Sequence, residues 1–445
     1  MSTDPVRWCW AALVVVLWIA LTAVIALRKR RRASAVAISG QTLVAVASQT
    51  GFGDELAEMT RDAIIAAGGS ARIVSFADLT SEDLLTIDRV LFVASTTGEG
   101  DAPDSAARFV RKVMGEAADL AGLRYGLLAL GDRTYRDYCG FGRALDDWLK
   151  GAGARRLFDT IEVDDGDAEA IARWRDEIAR LTGSAEPTQW DAPRHKPWRL
   201  VERRLLNAGS PGEEAWFVAF TPEDGGLDWV AGDIAEFQLS TPEGEPAHRE
   251  YSVASLPSDG RAEFVVRLMR RPDGTPGLGS GRLTTMKLGD ALPMRVRTNR
   301  AFHGPEATTP IILIGNGTGI AGLRAHLKQR AASGPAGSTW LMFGERTAAH
   351  DSLFDDELTG WMTRRALTRL DRVFSRDPGD GRYVQAIVAA AADEVRAWVA
   401  DGAAIYVCGS LEGMAGGVRE AMEDALGRDL CRELIETGRY RQDVY

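Results

Sequence analysis

The sequence is poor in cysteine, with four in 445 residues: Cys9, Cys139, Cys408 and Cys431. They form no CxxC pair and no zinc or iron–sulfur spacing, so no metal site is predicted. Few, scattered thiols are typical of a reducing compartment. Basic residues are also in deficit, giving a net charge of −10. That charge argues against a nucleic-acid partner, because the phosphates would be repelled.

Long hydrophobic runs are scarce, and only one has the length of a membrane span. Residues 8–27 form an uncharged run of 20 residues, followed by RKRRR at 28–32. A helix rising about 1.5 Å per residue would cross the hydrocarbon core with this run, and the basic cluster would stay in the cytoplasm. The sequence therefore predicts a single-pass helix in the cytoplasmic (inner) membrane, with the other domains facing the cytoplasm. A cleaved signal peptide is the alternative, although only Arg7 precedes the run.

Along the rest of the chain, the pattern of apolar and polar segments changes twice. From 41 to 183, short apolar segments alternate with amphipathic ones, which predicts an α/β domain with a parallel sheet. Residues 184–197 contain three prolines and are predicted to be a linker. From 198 to 305, short β-type segments with turn signals predict an antiparallel barrel. From 306 to 445 the α/β alternation returns.

Three loops at the ends of predicted strands in the first domain carry small, hydrogen-bonding residues. The loop 48-SQTGFGDELAE-58 lacks lysine, so it is not a Walker loop and better suits a phosphate monoester. The loop 95-STTGEGDAPD-104 is rich in glycine, and 131-GDRTYRDYCGFG-142 offers aromatic faces. Each loop alone could simply cap a helix. Because ligands bind at the carboxyl ends of parallel strands, however, the three loops are expected to converge on one ligand.

Together these loops resemble those of flavodoxin, which hold FMN. The resemblance implies that residues of all three loops bind FMN: Ser48, Gln49, Thr50, Gly51 and Gly53; Thr96, Gly98, Glu99 and Gly100; Gly131, Asp132 and Tyr135. Thr97 departs from the pattern, because several relatives carry an aromatic residue there. Tyr138 is either a second stacking face or plain packing.

Further motifs follow in a fixed order in the second half. RxYS at 249–252 offers a guanidinium fork suited to a diphosphate, a flat ring and a short donor. In a regular strand Arg249 and Ser252 would face opposite sides, so a bend or bulge is expected there. A glycine-rich turn at 277–284 is a second predicted anion site. GNGTG at 315–319 and CGS at 408–410 each follow a predicted strand.

This order resembles the ferredoxin–NADP reductase family. The resemblance implies that FAD is bound by Arg249, Tyr251, Ser252, Gly277 and Ser280, and that NADPH is bound by Gly315, Gly317, Thr318, Gly319 and Arg324. The segment 375-SRDPGDGRYVQ-385 resembles the family's site for the adenosine 2′-phosphate, which adds Ser375, Arg376, Arg382, Tyr383 and Gln385. Gly322 and Gly381 replace the proline and lysine that are common in the family.

A flavodoxin module joined to such a reductase module is the arrangement of the diflavin reductase family. The ending RYRQDVY is very close to that of its sulfite reductase flavoprotein branch. The resemblance implies that Tyr445 is an aromatic lid over the flavin face where the nicotinamide lands, and that Ser252, Cys408 and Asp443 are catalytic residues beside the hydride path. The alternative for Tyr445 is a tail tucked into a groove.

The predicted architecture is thus a transmembrane helix (8–27), an α/β flavodoxin-like FMN-binding domain (41–183), a linker (184–197), an FAD-binding antiparallel β-barrel (198–305) and an α/β NADP(H)-binding domain (306–445). Only 24 residues separate Ser252 from Gly277, so the helical connecting domain of larger family members is expected to be absent.

The predicted function is that of an NADPH–hemoprotein reductase, an electron-transport flavoprotein. It would take a hydride from NADPH onto FAD and pass single electrons through FMN to a haem-protein acceptor, expected to be membrane-associated. The alternatives are a sulfite reductase flavoprotein-like component, a membrane-associated ferric or siderophore reductase component, an electron carrier without NADPH turnover, and a structural membrane anchor.

Overall fold

The computed structural model describes residues 41–184, 194–334 and 336–445. The predicted transmembrane helix at 8–27 lies outside them. Within the described residues, no helix has the length and apolar character needed to cross a membrane. The longest, Phe52–Ala66 and Ala168–Thr182, have 15 residues each, short of the roughly 20 that a span requires. We therefore correct two predictions, the membrane-spanning helix in the fold class and the single-pass membrane location. The described fold consists of three sheets and their helices.

The first sheet is parallel throughout. Its strands are β1 (Gln41–Ala47), β2 (Ser70–Ser75), β3 (Arg89–Ser95), β4 (Arg124–Gly131), β5 (Arg155–Arg156) and β6 (Ile161–Asp164). The order is β2-β1-β3-β4-β5, with β6 also on β4, which is a doubly wound arrangement. Helices cover both faces: Phe52–Ala66, Ser81–Thr86, Ala107–Phe109 continuing as a π-helical turn at Val110–Met114, Gly140–Gly151 and Ala168–Thr182. Residues 157–160 separate the two short strands β5 and β6 and belong to neither.

The second sheet is antiparallel, as predicted. Its strands are β7 (Lys196–Leu205), β8 (Ala215–Pro222), β9 (Ile234–Ser240), β10 (Pro246–Ser252), β11 (Ala262–Arg267) and β12 (Ala291–Arg297), in the order β10-β9-β12-β7-β8-β11. One helix, Leu278–Thr285, follows β11. The strand β10 pairs with β9 without interruption from Pro246 to Ser252, so the bulge expected in RxYS is absent. Consequently Ser252 is buried while Arg249 is exposed.

The third sheet is parallel, with β15 (Arg369–Phe374), β14 (Thr339–Glu345), β13 (Ile311–Asn316), β16 (Ala404–Gly409) and β17 (Tyr440–Val444) in that order across it. Its helices are Ile320–Ala332, Ala348–Asp351, Asp355–Thr363, Val384–Ala390, Ala392–Ala400, Gly416–Leu426 and Arg428–Glu436. The strand order reverses between β13 and β16, and ligands of such sheets bind at this point.

Ion pairs dock the first domain on the other two. Arg295 of β12 binds Glu55 at 2.6 Å, and Arg111 binds Glu436 at 2.6 Å. Further pairs join Glu58 to Arg300 and Asp104 to Arg419. Glu55 lies in the first turn of helix Phe52–Ala66 and Asp104 begins the 3₁₀ turn Asp104–Ala106. Both follow the carboxyl ends of strands β1 and β3, so this edge of the first sheet faces the other two domains. The domain limits at 183, 197 and 305 remain predictions.

Candidate active site

A cleft of about 910 Å³ lies between the second and third sheets. The cleft is bordered by β10, the turn before helix Leu278–Thr285, the end of β13 and the loop after β15. Predicted site residues from five separate motifs line it: Arg249, Tyr251, Ser252, Gly277, Ser280, Gly317, Thr318, Ser375, Arg376, Arg382, Tyr383, Gln385 and Tyr445. Motifs up to about 200 residues apart in the sequence therefore meet at one place.

The turn after β13 depends on its glycines. Gly317 has a φ of 54°, a left-handed conformation that favours glycine. A Cβ on Gly319 would lie 2.0 Å from the carbonyl O of Cys408, and one on Gly315 would lie 2.5 Å from the same atom. The turn thus packs directly on β16 and leads into helix Ile320–Ala332. The N-terminus of that helix faces the cleft side, where its free N–H groups suit a pyrophosphate.

The substitution Gly319→Ala tests this packing. We expect the added methyl to displace the turn, to weaken NADP⁺ binding at least tenfold, and to destabilise the protein by about 1–3 kcal/mol. Gly416→Ala is the matched control, because Gly416 has a helical φ and a Cβ there meets nothing within 4 Å. Titration with NADP⁺ and thermal unfolding of both variants provide the measurement. A Gly319→Ala protein that binds and melts like the wild type would contradict the role of the turn.

The predicted 2′-phosphate end of the cleft is open and basic. Arg382 is held by Asp380 at 2.6 Å, and the Tyr383 ring is 56% exposed, leaving a face on which an adenine could stack. Sequence reasoning missed Arg346, which lines the same cleft directly after β14. One of its guanidinium nitrogens is buried without a hydrogen-bond partner among the described residues, which is uncommon in folded proteins. Its position at a strand end, like that of Ser375, was the available signal.

Ser252, Cys408 and Asp443 form a polar corner behind the wall of the cleft. The Ser252 hydroxyl donates to Asp443 Oδ2 at 2.6 Å, and the Cys408 thiol donates to the same oxygen at 3.7 Å. Cys408 and Asp443 are paired directly across β16 and β17. Burial raises the pKa of Asp443, and the two donors offset this only in part. Burial and the nearby carboxylate raise the pKa of the Cys408 thiol well above its usual range, so the thiol stays neutral.

Tyr445 is fixed by its backbone, while its ring is 54% exposed at the cleft. Its N–H donates to the carbonyl O of Gly409 at 3.1 Å, and its own carbonyl O accepts from the N–H of Leu411 at 2.9 Å. The phenol donates to Thr318 Oγ1 at 3.2 Å. The tail is therefore an ordered continuation of β17, and only the side chain is free to turn. The role of this side chain as a lid remains a prediction.

Arg324 does not line the cleft. Its guanidinium binds Glu263 at 2.6 Å, Glu357 at 2.7 Å and the carbonyl O of Ala254 at 2.7 Å. Since Glu263 and Ala254 come from the second domain, Arg324 joins that domain to the third. Its cofactor role was implied by family resemblance alone.

The three loops of the first domain lie close together, and Ser105, directly after the second loop, donates to the carbonyl O of Ser48 in the first at 3.3 Å. In the first loop, Ser48 Oγ accepts from the N–H of Gly51 at 3.0 Å, just before helix Phe52–Ala66. In the second, Glu99 accepts from the N–H of Arg136 in the third loop at 3.1 Å. The Thr96 hydroxyl is buried with no hydrogen-bond partner in the described part of the chain. An unsatisfied buried hydroxyl in these loops fits a polar ligand such as a flavin.

The other residues of these loops serve several purposes. Asp132 accepts from the N–H of Thr134 at 2.7 Å and so shapes its own turn. Tyr135 is exposed, whereas the Tyr138 ring lies beside the guanidinium of Arg133 at 5.1 Å, which favours packing for Tyr138. Gly98 and Gly100 lie in the second loop, whereas Gly53 lies in the first turn of helix Phe52–Ala66 and Gly131 is the last residue of β4. The Gln49 amide donates to the carbonyl O of Gln442 in β17 at 3.5 Å.

One group of side chains has the spacing of a metal site, formed by His195, Glu236 and His248. The Glu236 carboxylate, however, already accepts hydrogen bonds from His195, Arg295 and Arg297. Burial opposes its ionisation, but these donors hold the pKa of Glu236 below its usual range. The carboxylate is thus committed to arginine, and we assign no metal here.

Comparison with known proteins identifies two modules. The flavodoxin family matches residues 44–174, and the oxidoreductase NAD-binding domain matches residues 313–420. The flavoprotein alpha-component of sulfite reductase [NADPH] from Vibrio cholerae is 26% identical, with 93% of this chain and 89% of the relative covered. The proteins of that name from Bacillus subtilis (26% identical, 93% and 90%) and Sodalis glossinidius (27% identical, 93% and 91%) are similar.

These matches confirm the predicted cofactors, FMN, FAD and NADPH, and the succession of a flavodoxin module and a reductase module. The alignment with the Vibrio cholerae relative spans 546 residues, whereas this chain has 445. More than 100 residues of the relative therefore have no counterpart here. Between Ser252 and Gly277 the structure holds one short turn, Pro257–Asp259, and one strand, β11.

Proposed function

We propose that this chain is an NADPH-dependent diflavin reductase that accepts a hydride in the cleft and releases single electrons from its first domain to a separate redox protein. The observation that supports this most directly is the meeting of the RxYS, GLGS, GNGTG and SRDPGDGRYVQ motifs in one cleft. When bound, the two flavins convert a two-electron donor into a one-electron source.

The residues at the corner have separate tasks. Ser252 lines the cleft and is oriented by Asp443, whose Oδ2 accepts a hydrogen bond from the Ser252 hydroxyl at 2.6 Å. Asp443 brings negative charge to the place where the nicotinamide ring becomes positive, a form of electrostatic catalysis. Cys408 packs behind both and keeps water out. The Tyr445 ring occupies the cleft until the nicotinamide arrives.

The acceptor is proposed to be a haem protein of the kind served by a sulfite reductase flavoprotein. Similarity over 93% of the chain favours this alternative over a general hemoprotein reductase. The membrane-associated acceptor and the ferric or siderophore reductase are not retained, because they depended on the predicted membrane span. Glu55, Glu58 and Asp104, which pair with arginines of this chain, form an acidic face on which a basic partner could dock in turn.

Flavin analysis tests the proposal directly. Boiling the purified protein should release FMN and FAD in equal amounts, identified by chromatography. A single flavin type, or none, would contradict the two-flavin scheme. Rapid mixing with NADPH should bleach the flavin absorbance, with NADH as the control donor. Flavin that stays oxidised for minutes in NADPH would favour the electron carrier without NADPH turnover.

A further inference from the structure

Arg297 crosses from the second domain to the first. It ends β12, and its side chain is only 1% exposed although it lies between two domains. Its Nε donates to the carbonyl O of Thr50 at 3.1 Å, and its Nη2 donates to Thr50 Oγ1 at 3.3 Å. Thr50 belongs to the loop proposed to hold the FMN phosphate. Arg297 thus donates to both the carbonyl and the hydroxyl of Thr50, although the two residues are 247 positions apart in the sequence.

Two carboxylates fix the guanidinium in place. Arg297 Nη1 donates to Glu236 at 2.8 Å, and Nη2 donates to Glu250 at 2.5 Å. Glu236 lies on β9 and Glu250 on β10, between Arg249 and Tyr251 of the proposed FAD site. The charge of Arg297 is therefore balanced within the second domain. Its effect on the loop comes from hydrogen-bond direction rather than from net positive charge.

The hydrogen-bond inventory determines what Thr50 can then do. A hydroxyl has one proton and two lone pairs, whereas a guanidinium only donates. Thr50 Oγ1 must accept from Arg297, so its own proton is left for an anion. The next residue, Gly51, is pressed against the second domain, since a Cβ there would lie 2.0 Å from the carbonyl O of Thr298. The loop cannot turn away from this arrangement while the domains are docked.

We propose that Arg297 is a positioning residue for the FMN phosphate, supplied by the second domain and acting through Thr50. The inference rests on the proposed function, because it assumes that the first loop binds the phosphate. It implies that FMN affinity depends on domain docking, and that the dependence is specific for the phosphate group of the flavin.

The experiment compares FMN with riboflavin, which has the same ring but no phosphate. Flavin-depleted full-length protein is titrated with each, and binding is followed by quenching of flavin fluorescence. Arg297→Gln should weaken FMN binding about tenfold, in line with the loss of one hydrogen bond to a charged group, and should leave riboflavin binding unchanged. Arg300→Gln is the matched control, since Arg300 crosses the same interface but pairs with Glu58, which lies in helix Phe52–Ala66 beyond the residues 48–53 expected to bind FMN. It should alter neither affinity.

Thr50→Val provides a second route that leaves the buried arginine in place. It should reproduce the phosphate-specific loss, and the double variant with Arg297→Gln should lose little more than either single variant. Equal losses for FMN and riboflavin would overturn the inference, because Arg297 would then act on docking alone. Normal FMN affinity in both variants would also overturn it while leaving the proposed function intact. Failure of the wild-type chain to bind FMN would overturn the proposed function itself.

Discussion

Replacement of Asp443 by asparagine is expected to slow the reduction of bound flavin by NADPH about 100-fold, with little change in NADP⁺ affinity. The carboxylate accepts hydrogen bonds from Ser252 and Cys408 and is 8% exposed, so its charge is poorly screened. An amide keeps the shape of the corner but removes the charge that opposes the positive nicotinamide. Single-turnover mixing with NADPH measures the step, and a rate within a few-fold of the wild type would contradict the electrostatic role.

The pH profile separates this role from a structural one. Because burial raises the pKa of Asp443, its protonation and the resulting fall in rate should begin at a higher pH than for an ordinary aspartate. This acid limb should vanish in Asp443→Asn. The donation from Ser252 lowers the pKa of Asp443, so Ser252→Ala should move the limb to still higher pH. A limb at unchanged pH in Ser252→Ala would show that another group titrates.

The largest expected effect on stability comes from Arg324→Met. The change leaves Glu263, which is 3% exposed, without its main partner. Breaking a buried ion pair in this way costs about 3–5 kcal/mol, and we expect the lower end because Arg261 and Lys328 remain close to Glu263. Chemical denaturation, followed by tryptophan fluorescence, measures the loss.

Two further variants serve as controls for Arg324→Met. Arg432→Gln removes an exposed pair with Asp429 in helix Arg428–Glu436 and should cost less than about 1 kcal/mol. The double variant Arg324→Met with Glu263→Gln removes the stranded charge and should recover part of the lost stability. NADP⁺ affinity should stay near that of wild type, as Arg324 lies outside the cleft. A selective loss of affinity with normal stability would restore the cofactor role that family resemblance implies.

The strands of the two parallel sheets could be predicted where burial is complete. The apolar runs at 89–95, 311–315 and 404–410 coincide with β3, β13 and β16, and the central five residues of β3 are all buried. The strand β17 was missed because YRQDV is mostly polar and lies at a sheet edge with a mixed burial pattern. Hydrophobic periodicity cannot report such a strand.

The site was predictable where a motif is local and was missed where partners are distant. Gly317 and Thr318 lie in one short turn, so their pattern is visible in the sequence. Arg297 contacts Thr50 across 247 positions, and no spacing rule connects the two. For Arg324 the motif was present in the sequence but the predicted cofactor role is not supported. Its guanidinium is paired with carboxylates on other elements instead.

The pairing of Asp443 with Cys408 has a consequence for chain length. Side chains alternate along a strand, and each residue advances the chain by about 3.3 Å. Loss of a single residue from β17 would place Val444 opposite Cys408, exchanging the carboxylate for an isopropyl group and withdrawing the last aromatic ring by the same step. Strand β17 should therefore tolerate many side-chain substitutions on its outer face, but no insertion or deletion of a residue.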